Sequence, residues 1–174
     1  AAAMANVLTL RQAISVEGDT SQFPSDARAM PLKLPDAWFE SRPTAQGPVW
    51  YRLAFDAPGV PESGDLLALY IERVCTNLEV QLNGRRVHAG GHMTEPRTHN
   101  CQYPQLIVLP AAMLRTEGNL IDIKVVGEPL ARVGSRRRAG GLSVLQLGPQ
   151  SVLAARHARK MAVNVTLPQV VSAT

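Results

Sequence analysis

Three chemistries can be tested against the side chains of this sequence. His88, His92 and His99 lie close together, and Cys101 follows just after. Imidazole and thiolate are zinc ligands, and four such donors close a structural site. The spacing fits no closed zinc set, so neither a metal nor another cofactor is expected. Acid–base catalysis needs positioned carboxylates, or a histidine with an orienting partner. The 14 acidic residues are scattered, and Glu62-Ser63-Gly64-Asp65 sits in a turn-forming context. Ser135, Ser143 and Ser151 lack the strand–turn–helix context of a nucleophilic serine. The chain by itself is therefore expected to be non-catalytic.

Binding chemistry has a clearer candidate. Gly90 to Tyr103 reads GGHMTEPRTHNCQY, a mixture of hydrogen-bond donors with one stacking ring. Long loops without secondary structure of their own are often functional. Arg73 and Asn77 flank Cys75, and a bond between Cys75 and Cys101 would draw them towards this loop. The candidate ligand-binding residues are therefore Arg73, Asn77, Arg97, His99, Gln102 and Tyr103. Trp38 and Trp50 could stack on a sugar, but both read better as buried core residues.

Strands must position this loop. Leu78-Glu79-Val80-Gln81-Leu82 alternates apolar and polar residues, the period of a half-buried strand. Asn83-Gly84 follows at once and suits a type I′ turn, which needs positive φ at both central residues. Arg85 to His88 returns as the second arm. Leu120 to Val125 repeats the alternation, with Ile121, Ile123 and Val125 on one face. Leu66 to Ile71 is almost continuously apolar, as in a central strand covered on both sides. Val49 to Phe55 and Val7 to Leu10 complete the set. Gly148-Pro149 ends the strand-rich part, and Ser151 to Val163 has helical propensity. The expectation is an all-β jelly-roll sandwich over residues 1–150. Residues 151–174 would form a C-terminal helix and the start of a membrane-proximal linker.

Composition narrows the function classes. The 174 residues fit one domain, 45% apolar, with 13 Gly and 13 Pro, as in a turn-rich β protein. The net charge is +4, much of it in Arg136-Arg137-Arg138 and in Arg156 to Lys160. Neither cluster carries the interleaved aromatics of a nucleic-acid surface, so no nucleic-acid partner is expected. No run of apolar residues reaches membrane-spanning length. Ala1 to Ala5 reads either as the mature side of a signal-peptide junction or as a remnant of expression. Thr166 to Val171 turns apolar, consistent with a membrane segment beyond residue 174.

The motifs also occur in a telling order. Leu34-Pro35-Asp36-Ala37-Trp38 comes first, followed by Trp50-Tyr51-Arg52 and then the Val80-Gln81-Leu82-Asn83-Gly84 hairpin. Leu109-Pro110 and Gly118-Asn119-Leu120-Ile121-Asp122-Ile123 complete the series. Over roughly residues 30 to 127 this resembles the galactose-binding-like jelly roll at the front of β-galactosidase-type glycosidases. It is also similar to periplasmic sensor domains of bacterial histidine kinases and diguanylate cyclases, in which a helix leads from the jelly roll into the membrane. The Gly140–Ser143 segment and the basic helix fit that second version better. The resemblance implies an extracytoplasmic, periplasmic sensor or ligand-binding domain of an inner-membrane signalling protein. Its ligand would be a small molecule or carbohydrate, and it would form at most a weak homodimer. The alternative it implies is a carbohydrate-binding accessory domain of a secreted glycoside hydrolase.

Cys75 and Cys101 leave two readings open, a disulfide or two small unpaired hydrophobes. In an oxidising compartment such a pair tends to join, adding about 3 kcal/mol in the chain-entropy model. The bridge is the expectation. Thiol titration of the denatured, unreduced protein should find no free thiol, and two free thiols after oxidative folding would exclude it.

Overall fold

The computed structural model describes residues 7–25, 28–42, 47–56, 65–75, 77–90, 104–127 and 140–162. In chain order the strands begin with β1 (Leu8–Leu10), β2 (Gln12–Glu17), β3 (Met30–Lys33), β4 (Asp36–Ala37) and β5 (Val49–Phe55). They continue with β6 (Leu67–Ile71), β7 (Val74–Cys75), β8 (Asn77–Leu82) and β9 (Arg85–Gly90). The last are β10 (Gln105–Val108), β11 (Asn119–Val126), β12 (Gly141–Leu142) and β13 (Leu145–Pro149). Helix α1 is a single turn at Trp38–Ser41, and α2 spans Gln150–Met161. A 3-10 turn occupies Ala111–Met113.

Two antiparallel sheets form a sandwich. One has the order β1-β13-β6-β10 and the other β3-β2-β5-β11-β8-β9. The period-2 alternation of side chains explains the core. Val49, Tyr51, Leu53 and Phe55 of β5 face inward, as do Leu78, Val80 and Leu82 of β8 and Ile121, Ile123 and Val125 of β11. Leu69, Ile71, Leu145 and Leu147 meet them from the four-stranded sheet. A third small sheet, β4-β12-β7, lies beside the sandwich.

Both outer faces are also partly covered, which the alternation in the sequence does not announce. On the four-stranded sheet, Leu153 of α2 packs with Ala68 and Tyr70. The helix is tied at its start, where Ser151 donates from both N–H and hydroxyl to Asp65. It is tied near its end, where Lys160 pairs with Glu72 at 2.9 Å. The expected helix at Ser151–Val163 is thus present as α2, docked on β6. Among the described residues no helix is long and apolar enough to cross a membrane.

On the six-stranded sheet a strap at residues 18–25 lies across the outer face. Phe23 meets Trp50 edge to face, with ring centroids 6.3 Å apart, and Val16 completes this small cluster. Lys124 on β11 donates to Asp19 and to the Thr20 carbonyl, both at 3.0 Å. Gln81 on β8 donates to the Ser21 carbonyl at 2.9 Å. Beside the strap Arg52 grips Asp122 through two parallel hydrogen bonds of 2.7 and 3.0 Å. That bond holds the guanidinium pKa above its ordinary value. Trp38 and Trp50 are both buried, as expected, but Trp50 lies under the strap and not between the sheets.

The hairpin end is locked by two asparagines. Asn83 and Gly84 adopt φ of 51° and 85°, the conformation a type I′ turn requires. The Asn83 side chain donates to the Met113 carbonyl at 2.7 Å and accepts from the Leu120 N–H at 2.9 Å. Fully buried Asn119 accepts from the Arg115 N–H and donates back to the Arg115 carbonyl, at 2.7 and 2.6 Å. It also accepts from Asn83 at 3.1 Å. Asn119→Ala should cost about 2–3 kcal/mol in urea unfolding, because it strands buried backbone groups as well as removing bonds. A cost under about 0.5 kcal/mol, the level of an ordinary surface change, would refute this role.

Candidate functional site

The strand register gathers several chain ends at one end of the sandwich. β9 ends at Gly90 opposite Leu78, and β11 ends at Val126 opposite Asn77. β5 begins at Val49 opposite Val125, and β10 begins at Gln105 opposite Ile71. Pro104, which follows residues 91–103, therefore lies close to the turn that carries Arg73, and Gly90, which precedes them, lies beside the start of β8. Of the expected site residues, Arg73 is exposed and its backbone N–H donates to the Ser143 hydroxyl at 3.1 Å. Asn77 is fully buried at the start of β8. Cys75 lies in β7, paired with Gly141. Arg97, His99, Cys101, Gln102 and Tyr103 lie outside the described residues, so the bridge and the loop chemistry remain expectations.

Beneath this end is a buried polar chain that sequence reasoning missed. The indole N–H of Trp38 donates to the Tyr51 hydroxyl at 2.8 Å, and that hydroxyl donates to Asp36 at 2.6 Å. Burial, reinforced by the neighbouring Asp36 carboxylate, pushes the Tyr51 phenol well above its ordinary pKa and keeps it a donor. β4 carries Asp36, and α1 begins at Trp38. Both are pressed against the Gly140-Gly141 backbone, where the Trp38 N–H donates to the Gly140 carbonyl at 3.2 Å. A Cβ on Gly140 would fall inside the Trp38 ring, and one on Gly141 would stand 2.5 Å from the Asp36 carbonyl. The glycine pair is therefore a packing requirement. The Leu-Pro-x-x-Trp and Trp-Tyr-Arg motifs were visible signals, but nothing in sequence spacing shows that Asp36 and Tyr51 touch.

Two further groups flank this end. His88 is half-buried on β9, two residues before Gly90, and its Nε2 has no protein partner. Burial holds its imidazole below the ordinary histidine pKa. Among the described residues no cluster of three or more metal-ligating side chains exists. On the other side, His157 of α2 contacts the Pro104 carbonyl at 3.2 Å and the Tyr70 ring edge to face. The last turns of α2 thus touch Pro104 and Glu72, which border the candidate loop and the Arg73 turn.

No family model and no curated protein matches the chain. Solved structures do match. A β-glucuronidase from Faecalibacterium prausnitzii is 16% identical, with a TM-score of 0.58 over 84% of this chain and 32% of that enzyme. A β-glucuronidase from Bifidobacterium dentium is 15% identical, with a TM-score of 0.59 over 83% and 30%. A glycosyl hydrolase family 2 member from Bacteroides cellulosilyticus is 18% identical, with a TM-score of 0.58 over 82% and 20%. The fold is the galactose-binding-like jelly roll. At these identities the likeness is one of fold, and this chain spans about a third or less of each enzyme.

Tyr51→Phe tests the buried chain. It removes one hydroxyl and strands the Trp38 N–H and the Asp36 carboxylate together. It should destabilise the domain by about 3 kcal/mol in urea unfolding followed by tryptophan fluorescence. A near-neutral change would mean that the three groups do not act as one network.

Proposed function

We propose that the chain is a carbohydrate-binding accessory domain of a secreted glycoside hydrolase, with no catalysis of its own. The observation that carries this reading is the likeness to domain-sized parts of several glycosidases, extending over more than four-fifths of the chain. The loop end supports it by bringing the Arg73 turn beside Pro104, which follows the donor-rich 91–103 segment. The buried carboxylates of Asp36 and Asp122 support the absence of catalysis, since each is engaged in a structural hydrogen bond.

A second reading is favoured by α2. In it the domain is the periplasmic sensor of an inner-membrane histidine kinase or diguanylate cyclase. Membrane attachment would come through segments outside this chain, and pairing with a second copy would be weak. The motivating observation is that His157 and Lys160 touch the borders of the loop end, so a ligand there could change how the helix is held.

Affinity electrophoresis through gels containing single polysaccharides separates the two readings. The accessory-domain reading expects retardation by at least one polysaccharide and no release of reducing sugar. Arg97→Ala with Tyr103→Ala should weaken loop-end binding about tenfold, equivalent to about 1.4 kcal/mol. Retardation by none of the polysaccharides, together with an apolar span of about 20 residues after residue 174 in the full reading frame, would replace it with the sensor reading.

A further inference from the structure

The strap over the six-stranded sheet covers groups whose bonding is incomplete. Trp50 is fully buried, yet its indole N–H has no protein acceptor. Gln81 is also buried, and its Oε1 has no protein donor. An unpaired buried donor or acceptor carries a desolvation cost, so two under one strap call for an explanation. One unpaired atom is a donor and the other an acceptor. A hydroxyl group satisfies either.

The strap supplies the remaining contacts in a form that a ligand could copy. The Asp19 carboxylate sits on Lys124 at 3.0 Å, although Asp19 itself is 81% exposed. The Phe23 ring lies against Trp50, with the Arg52 guanidinium stacked 4.2 Å from its centre. The Ser21 carbonyl accepts from Gln81. Lys124 also lies 5.8 Å from the Trp50 ring. If the strap lifts, Asp19 leaves with it, and Lys124 loses its bonded carboxylate beside an aromatic face. Across the β11–β8 register it then faces Glu79, which is already bonded to Gln81 and paired with Arg86. Arg52 keeps its own partner, Asp122, on the neighbouring strand.

We propose that the outer face of β5, β11 and β8 is a strap-covered binding site for an acidic saccharide. The sugar carboxylate would replace Asp19 on Lys124, and the apolar face of the ring would replace Phe23 against Trp50. Its hydroxyls would complete Trp50 and Gln81. This deepens the carbohydrate reading and rests on it, but at a face distinct from the loop end.

The test follows the Trp50 indole N–H resonance, identified by its loss in Trp50→Phe, during titration with trigalacturonate and with neutral cellotriose. Trigalacturonate should give a saturable shift. Phe23→Ala, which removes the ring that blocks the platform, should tighten binding about tenfold. Lys124→Met should abolish the preference for the acidic sugar, and Gln81→Met should weaken binding several-fold with the fold retained by circular dichroism. If the tightening is seen only where the variant has unfolded, Asp19→Asn supplies the same release without touching the apolar cluster, and it should tighten trigalacturonate binding. Saccharide affinity, measured for the variants by titration calorimetry, that is unchanged in Trp50→Phe, Lys124→Met and Gln81→Met overturns this site and leaves the accessory-domain reading standing. Equal affinity for the two sugars overturns the acidic preference. No saturable shift in wild type, Phe23→Ala or Asp19→Asn overturns the inference, and the polysaccharide gels then decide the broader reading separately.

Discussion

The loop end depends on a steric constraint, the approach of the Gly140-Gly141 backbone to Trp38 and Asp36. Only a chain without Cβ atoms at both positions can lie so close. That approach lets β12 pair with β4 on one side and β7 on the other. It also fixes Trp38 over the core, where its N–H meets Tyr51. Tyr51 lies on β5, which bonds to both β2 and β11 in the six-stranded sheet. The constraint therefore passes from a peripheral two-residue strand into the largest sheet. The resulting hydrogen-bonded chain is inaccessible, so its contribution is rigidity and position, not surface chemistry.

A second principle is that each sheet is partly covered on its outer face as well as packed on its inner one. In a plain sandwich the outward residues would be polar and solvated. Here α2 covers β6, and the strap covers part of β5, β11 and β8. The two covers are held differently. The helix seals an apolar patch with Leu153 and is fastened at both ends by charged or polar ties. The strap has one apolar anchor, Phe23, and otherwise rests on side chains rising from the sheet to its backbone and to Asp19.

Much of this architecture could be read in the sequence, and the part that could not has a physical reason. Period-2 alternation marked β8 and β11, a nearly continuous apolar run marked β6, the Val49 to Phe55 run marked β5, and Asn83-Gly84 marked the hairpin, because these are local properties. The C-terminal helix was visible for the same reason. β2, β3 and the strap went unread. Gln12 to Glu17 mixes its faces, and Phe23 is a single apolar residue in a polar stretch. The side-chain pairs that tie the strands together were out of reach because they are distant in sequence. Arg52 and Asp122 meet only through the register of β5 against β11, and Asp36 and Tyr51 only through the packing of β4. Five of the loop and disulfide residues, Arg97, His99, Cys101, Gln102 and Tyr103, lie outside the described structure. For them the sequence reading stands alone.

The direction of α2 has a practical meaning. The helix starts beside Asp65, before β6, and finishes beside Glu72, after it, so helix and strand run the same way. Twelve helical residues rise about 18 Å, close to the roughly 17–20 Å of a typical strand. The chain therefore crosses the whole sandwich once more before reaching Ala162. Anything attached there emerges on the side of Arg73 and Pro104, away from the Asn83-Gly84 tip. A fluorophore or fusion partner at Ala162 would report on, or obstruct, the loop end. Exposed Arg85, just past the hairpin tip, is a place for a handle that leaves both the loop end and the Asn83 bonds untouched.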